Sequence, residues 1–182
     1  MIMYLIRSLF LSFLVCLFGF SFQQMAHAKT VNYPAPSIHF KSAFSFTTQT
    51  TQANDITQLS QLRGKVVYVD FWASWCVPCR RSFPWMNQMQ AKYADDLVIV
   101  AINLDQEPEL AEAFLANLTA NFHIEYNPSG DIAKAYDVIG MPSSYVIDKT
   151  GQVRLTHVGF FKAKKTQYEQ SIVALINEFP SL

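Results

Sequence analysis

Val66-Val67-Tyr68-Val69-Asp70-Phe71-Trp72-Ala73-Ser74-Trp75-Cys76-Val77-Pro78-Cys79-Arg80-Arg81 decides how this chain is read. Val66 to Trp72 is apolar at nearly every position, the mark of a strand covered on both faces. A tight turn follows, and a helix is expected from Cys76 to about Tyr93, interrupted and kinked at Pro84, where a backbone hydrogen bond is lost. Two cysteines therefore sit at the junction of a buried strand and a helix. Two intervening residues let both sulfurs meet on the first helical turn and close a small ring that can reopen. A thiolate, not a thiol, attacks a disulfide, and an ordinary cysteine with a pKa of about 8.5 is mostly un-ionised at neutral pH. The unpaired N–H groups and dipole at a helix start favour the anion. Cys76 is thus expected to be exposed and nucleophilic, with Arg80 and Arg81 adding positive potential. Cys79 is expected to be more buried and to resolve the mixed disulfide. Val77-Pro78 restricts the turn between them.

Asp70 interrupts the apolar strand six residues before Cys76. A carboxylate buried there is costly unless neutral or paired, so desolvation should raise its pKa. That makes it a proton acceptor for Cys79 during release of a mixed disulfide. The plainer alternative is a strand-end aspartate satisfied by a backbone N–H.

Working outward, the chain has 182 residues, of which 51% are hydrophobic, enough for one packed domain. With 14 basic and 14 acidic residues it offers no basic patch for nucleic acid and no acidic tail. Ser8 to Phe22 is apolar and uncharged, follows Arg7, and leads to Ala26-His27-Ala28. This pattern is read as an export signal over residues 1–28, cut after Ala28, with residues 29–182 forming the domain. The alternative is an uncleaved membrane anchor, since about 20 apolar residues span a bilayer. Cleavage also removes Cys16, leaving Cys76 and Cys79 as the only cysteines. An exported protein with one adjacent pair is not a disulfide-stapled scaffold, so the pair serves chemistry or a metal. A tetrahedral zinc site wants four ligands, and His39, His123 and His157 lie far apart in sequence, so no metal is expected.

Lys29 to Pro36 reads as a linker extended by its prolines. Ile38 to Phe46 alternates loosely, as an early hairpin or edge strand. Thr47 to Asn54 is polar, and Asp55 can cap a short turn to Leu59. Beyond the cysteines come a strand at Leu97 to Leu104, a helix at Glu107 to Leu118 with Pro108 in its first turn, and a short strand at Phe122 to Tyr126. Asn127 to Gly130 makes a turn, and Ile132 to Tyr136 a short helix. A hairpin follows, of Ser144 to Ile147 and Gln152 to Val158, then an amphipathic helix at Lys164 to Phe179. Strands alternating with helices before a terminal hairpin give an α/β sheet with helices on both faces.

Asp70-Phe71-Trp72-Ala73-x-Trp75-Cys76-x-Pro78-Cys79 resembles the active-site strand and helix of thioredoxin. Pro84 stands where that helix has its kinking proline, and Gly140-Met141-Pro142 resembles the family's cis-proline loop. The resemblance implies a thioredoxin-like α/β fold, a central mixed sheet flanked by helices. It also implies a cis Met141–Pro142 bond beside the cysteines, with the Met141 backbone free to pair with an extended substrate. Together with the leader, the helix–strand insertion between the cysteine helix and Pro142, and the block Met141 to Asp148, the chain from Tyr33 to Phe179 is similar to TlpA/ResA-type exported thioredoxin-like proteins. That implies a thiol–disulfide oxidoreductase whose only redox group is the Cys76–Cys79 disulfide, with no further cofactor. It would act on cysteine-containing exported proteins in the periplasm or another extracytoplasmic space, and a membrane-bound thiol donor would recharge it. Oxidase or isomerase activity, a copper-binding carrier and a thiol peroxidase are the alternatives. Trp75, Val77, Pro78 and Met141, with Phe160, form the expected substrate-facing surface.

The chain departs from the group at three places. Many members carry a glutamate where this chain has Ser82, and many have asparagine in place of Asp70. The cytochrome c maturation reductases usually have an acid where Ser143 stands. The acid–base role is therefore expected on the strand, at Asp70, and a dedicated haem-maturation role is disfavoured.

Overall fold

Strand β2, Val66–Trp72, is buried at every position, as its unbroken apolar run requires. The structure, a computed structural model, describes residues 29–41 and 56–178. The leader, Cys16, Asp55 and the segment Thr47 to Asn54 lie outside the described residues, as does the far end of the Ile38 to Phe46 run.

Six strands form one mixed sheet in the order β1-β6-β5-β2-β3-β4. β1 is Lys29–Pro34, β3 Leu97–Asn103, β4 His123–Tyr126, β5 Ser143–Ile147 and β6 Gln152–Val158. β2, β3 and β4 run parallel, while β5 lies antiparallel to β2 and to β6. The helices are α1 at Cys79–Lys92, α2 at Pro108–Asn117, α3 at Asp131–Ala135 and α4 at Lys165–Asn177. The expected helix–strand insertion is present as α2 and β4, which extends the sheet beyond β3.

Alternation along β2 divides the core. Val66, Tyr68 and Trp72 face a cluster built with Phe83, Trp85, Met86 and Met89 of α1, Phe114 of α2 and Ile172 of α4. Val67, Val69 and Phe71 face the opposite cluster, which holds Ile38, Leu59, Leu62, Tyr136 and Tyr145. On the α1 side, the Phe83 ring lies 5.0 Å from Trp72, 5.1 Å from Phe114 and 5.3 Å from Phe122. Each such edge or tilted pair adds about 0.5–1.5 kcal/mol beyond area burial.

Several expectations need correction. Lys29 to Pro36 is not a linker, because residues 29–34 pair antiparallel with β6 as an edge strand. Prolines are tolerated there because an edge strand has one unpaired side, and Pro34 ends the strand. In the described part of the Ile38 run, the backbone pairs through a lone bridge, His39 with Gln58, while Ile38 and Phe40 are buried. The short turn is a 3-10 helix, Leu59–Leu62, preceded by Gln58. α1 begins at Cys79 rather than Cys76, and it runs through Pro84 without interruption.

Candidate active site

β2 ends at Trp72 and β5 begins at Ser143, which pairs with Phe71. The loops leaving these two neighbouring strand ends are the Cys76–Cys79 turn and the Gly140–Pro142 loop, so topology brings them together. The Met141–Pro142 peptide is cis, as the resemblance implied. Pro142 is buried and its carbonyl accepts a hydrogen bond from Gly159 N–H at 2.7 Å. Met141 is half-buried against the cluster that contains both cysteines.

Cys76 and Cys79 are joined by a disulfide. Cys76 precedes the helix, in a turn closed by its own N–H on Ala73 O at 3.0 Å. The Cys79 N–H points back at Cys76 Sγ, 3.3 Å away. The N–H at the helix start is directed at the Cys76 sulfur, a placement that favours a sulfur anion. The expected exposure of Cys76 is not found: it is 3% exposed and Cys79 0%. A bonded sulfur is apolar, and the bond draws Cys76 into the cluster beside Trp72 and Phe83. The exposed groups are its neighbours, Trp75 at 67% and Val77 at 58%, with Pro78 half-buried. Phe160 does not join that surface, because its ring is buried against Trp85 and Tyr168. Ile139, two residues before Met141, stands almost fully exposed instead.

Asp70 is 1% exposed and lies on the α1 side of β2 with Tyr68 and Trp72. Its Oδ2 has no hydrogen-bond partner among the described residues, and its cross-strand neighbours are Ala101 and Ser144. Burial pushes its carboxyl well above the usual carboxylate range. The backbone-satisfied alternative does not account for this oxygen. Ser82, also buried, donates its hydroxyl to Cys79 O at 2.9 Å, so that position carries no acid toward the disulfide.

Two features escaped the sequence reading. Asp105, in the loop after β3, accepts from Ser74 N–H at 2.8 Å, Ser74 Oγ at 3.0 Å and Asn103 Nδ2 at 2.8 Å. It thereby clamps the turn that carries Trp75 and Cys76. Arg80 completes this clamp, donating to Ser74 O at 3.4 Å with its guanidinium over the Phe114 ring at 4.7 Å. The second feature is a buried polar row, in which Tyr68 OH donates to Ser144 Oγ at 2.8 Å and Ser144 Oγ lies 3.4 Å from His157 Nδ1. Sequence carried only the spacing of Asn103 and Asp105 as a signal, and nothing joined Tyr68, Ser144 and His157.

Among the described residues no group of three or more His, Cys, Asp or Glu side chains could hold a metal ion. His157 on β6 and His123 on β4 stand four strands apart in the sheet. At about 4.8 Å per strand that is about 19 Å, too far to share an ion.

Residues 30–172 match the family model Redoxin. The chain belongs to the Redoxin family. Within the thioredoxin superfamily it is ResA-like. It is 30% identical to the thiol-disulfide oxidoreductase ResA of Bacillus subtilis over 149 residues, 81% of this chain and 80% of that protein. It is 32% identical to the thioredoxin-like protein YneN of the same organism over 120 residues, 64% of this chain and 70% of that protein. Against ResA of Bacillus thuringiensis it is 35% identical over 97 residues, and that match spans only 56% of the relative's length. A Chlorobium tepidum crystal structure, provisionally named thiol:disulfide interchange protein DsbE, superimposes with a TM-score of 0.70 at 43% identity. That match covers 83% of this chain and all (100%) of the other.

Proposed function

We propose that this ResA-like protein is an exported thiol–disulfide oxidoreductase that reduces disulfides of extracytoplasmic proteins. The observation that carries the reading is the Cys79 N–H aimed at Cys76 Sγ, with a buried carboxylate, Asp70, on the strand that leads into the cysteine turn. In the reduced protein the Cys76 thiolate attacks one sulfur of a substrate disulfide. The substrate's S–S bond breaks, its second sulfur leaves as a thiolate and takes up a proton, and Cys76 holds the first in a mixed disulfide. Asp70 accepts the Cys79 proton, and the Cys79 thiolate attacks Cys76 Sγ. The Cys76–Cys79 bond forms, the second substrate thiolate leaves, and it too takes up a proton. Two electrons have passed from the protein dithiol to the substrate.

Trp75, Val77, Pro78 and Met141 present the substrate with an apolar surface around this pair. A membrane-bound thiol donor restores the dithiol. Residues 1–28 serve as the export signal, and their apolar run ending in Ala26-His27-Ala28 supports an extracytoplasmic setting. The dithiol is the whole redox apparatus, and no further cofactor is needed.

Cys79→Ser leaves the mixed disulfide unresolved, so partner proteins accumulate on Cys76 and are released by dithiothreitol. Equilibration against glutathione should give a potential below the glutathione couple. A potential well above it would assign the protein to disulfide formation or shuffling instead. Absence of trapped partners would remove the oxidoreductase reading.

A further inference from the structure

Asp70, Ser144 and His157 are successive partners in the sheet register, Asp70 with Ser144 between β2 and β5, and Ser144 with His157 between β5 and β6. Paired residues point to the same face, with Cβ atoms about 4.5–5.5 Å apart. All three are buried, at 1%, 4% and 5% exposure. Tyr68 OH already donates to Ser144 Oγ. The serine proton is therefore free for one acceptor, and two flank it. His157 Nδ1 lies at 3.4 Å, a loose contact for a hydroxyl donor. Asp70 is the register partner of Ser144 on the other side, on β2.

We infer that Ser144 is a positioning residue for Asp70, whose hydroxyl proton rests on His157 while the carboxyl is protonated and turns to the carboxylate when Asp70 ionises. The inference rests on the reading of Asp70 as proton acceptor and adds how an unpaired buried carboxylate is made bearable. Tyr68, on the same face of its own strand, is the titratable group that interacts with the Asp70 charge, and His157 from β6 follows beyond Ser144 in the register. Burial and the nearby Lys164 hold His157 down to about 4, so its ring is neutral and available as an acceptor near neutrality. Its ring packs on Tyr168, centroids 4.9 Å apart. Its buried Nε2 has no hydrogen-bond partner among the described residues, and Nδ1 faces Ser144.

The test is the carboxyl titration of Asp70 by carbon NMR in the oxidised full chain, read beside the pH profile of mixed-disulfide resolution. Ser144→Ala removes the donor to the carboxylate and should raise the Asp70 midpoint by about one to two pH units, moving the resolution profile with it. Ser144→Thr keeps the hydroxyl and should restore both. His157→Phe removes the competing acceptor and should lower the midpoint, whereas simple loss of a polar neighbour would raise it. Equal midpoints for Ser144→Ala and wild type, or a rise in His157→Phe, overturn the inference. Asp70→Asn separates the two ideas. If it resolves mixed disulfides at the wild-type rate at every pH, the acceptor reading fails and takes this role with it. If it is slow while Ser144→Ala leaves the profile unmoved, Ser144 alone is excluded.

Discussion

Replacing Asp70 with asparagine should stabilise the protein, and by an amount that grows with pH. The carboxyl is buried and has an unpaired Oδ2, and burial raises its pKa in the folded state. In the unfolded chain it titrates near its ordinary value of about 3.9. Between these two values the folded protein holds a proton that the unfolded chain has released, so unfolding becomes easier as pH rises. The slope for one proton is about 1.4 kcal/mol per pH unit. It begins near the unfolded value and ends at the folded one. Asparagine keeps the shape and carries no titration. The difference in unfolding free energy between Asp70→Asn and wild type should therefore be small near pH 4. It should climb by about 1.4 kcal/mol per unit above that and then level off where the folded carboxyl ionises. Urea unfolding of both oxidised proteins at half-unit steps from pH 4 to 8 measures the curve, and the plateau gives the folded pKa. A difference that stays constant across this range would refute the claim that Asp70 is held protonated by burial. It would also remove the basis for its proposed role as acceptor.

Other outcomes follow from the same geometry. Asp105→Ala removes two hydrogen bonds from Ser74, in the turn before Cys76, and one from Asn103, and should cost about 2–4 kcal/mol in urea unfolding while slowing disulfide exchange. His157 is neutral in the fold, held down to about 4, so its stabilising effect is present above about pH 6.5 and is lost as pH falls toward 4. Wild type should lose about 3 kcal/mol over that interval from this residue, and His157→Phe should not. Gly151 closes the β5–β6 turn at a φ of 83°, and a Cβ there would meet the Arg63 guanidinium. Gly151→Ala should lower the unfolding free energy by about 1–2 kcal/mol, the cost of a left-handed backbone for alanine.

Much of the fold was legible because β2 and β3 are apolar on both faces, a pattern that only a covered central strand satisfies. The cysteine spacing and Asp70 likewise pointed to the site from local sequence. What was not legible depended on pairing. Residues 29–34 look like a proline-bearing linker until β6 offers them an edge. Phe160 looks like part of a binding surface until Trp85 and Tyr168 close over it. Cys76 looks exposed from its place before a helix, yet it is disulfide-bonded and buried in the core cluster. Tyr68, Ser144 and His157 come from three strands, and no local pattern says which serine stands opposite which aspartate. Register is set by the whole hydrophobic pattern, and a one-residue slip would turn each of these side chains to the other face.

The two buried titrations in this row pull stability in opposite directions. As pH rises from about 4, Asp70 withdraws stability because its folded form keeps the proton longer than the unfolded chain does. Over the interval up to about 6.5, His157 restores it, because the unfolded imidazole gives up a proton that the folded ring never held. Each slope is one proton, about 1.4 kcal/mol per unit, so they cancel wherever both are active. A lone buried aspartate would make the fold sensitive to pH throughout the range between its unfolded and folded titrations. Joined in register through Ser144 to a buried neutral histidine, it keeps its own titration while the fold as a whole feels little of it between about pH 4 and 6.5. The polar row thus separates the proton chemistry of the site from the stability of the sheet that carries it.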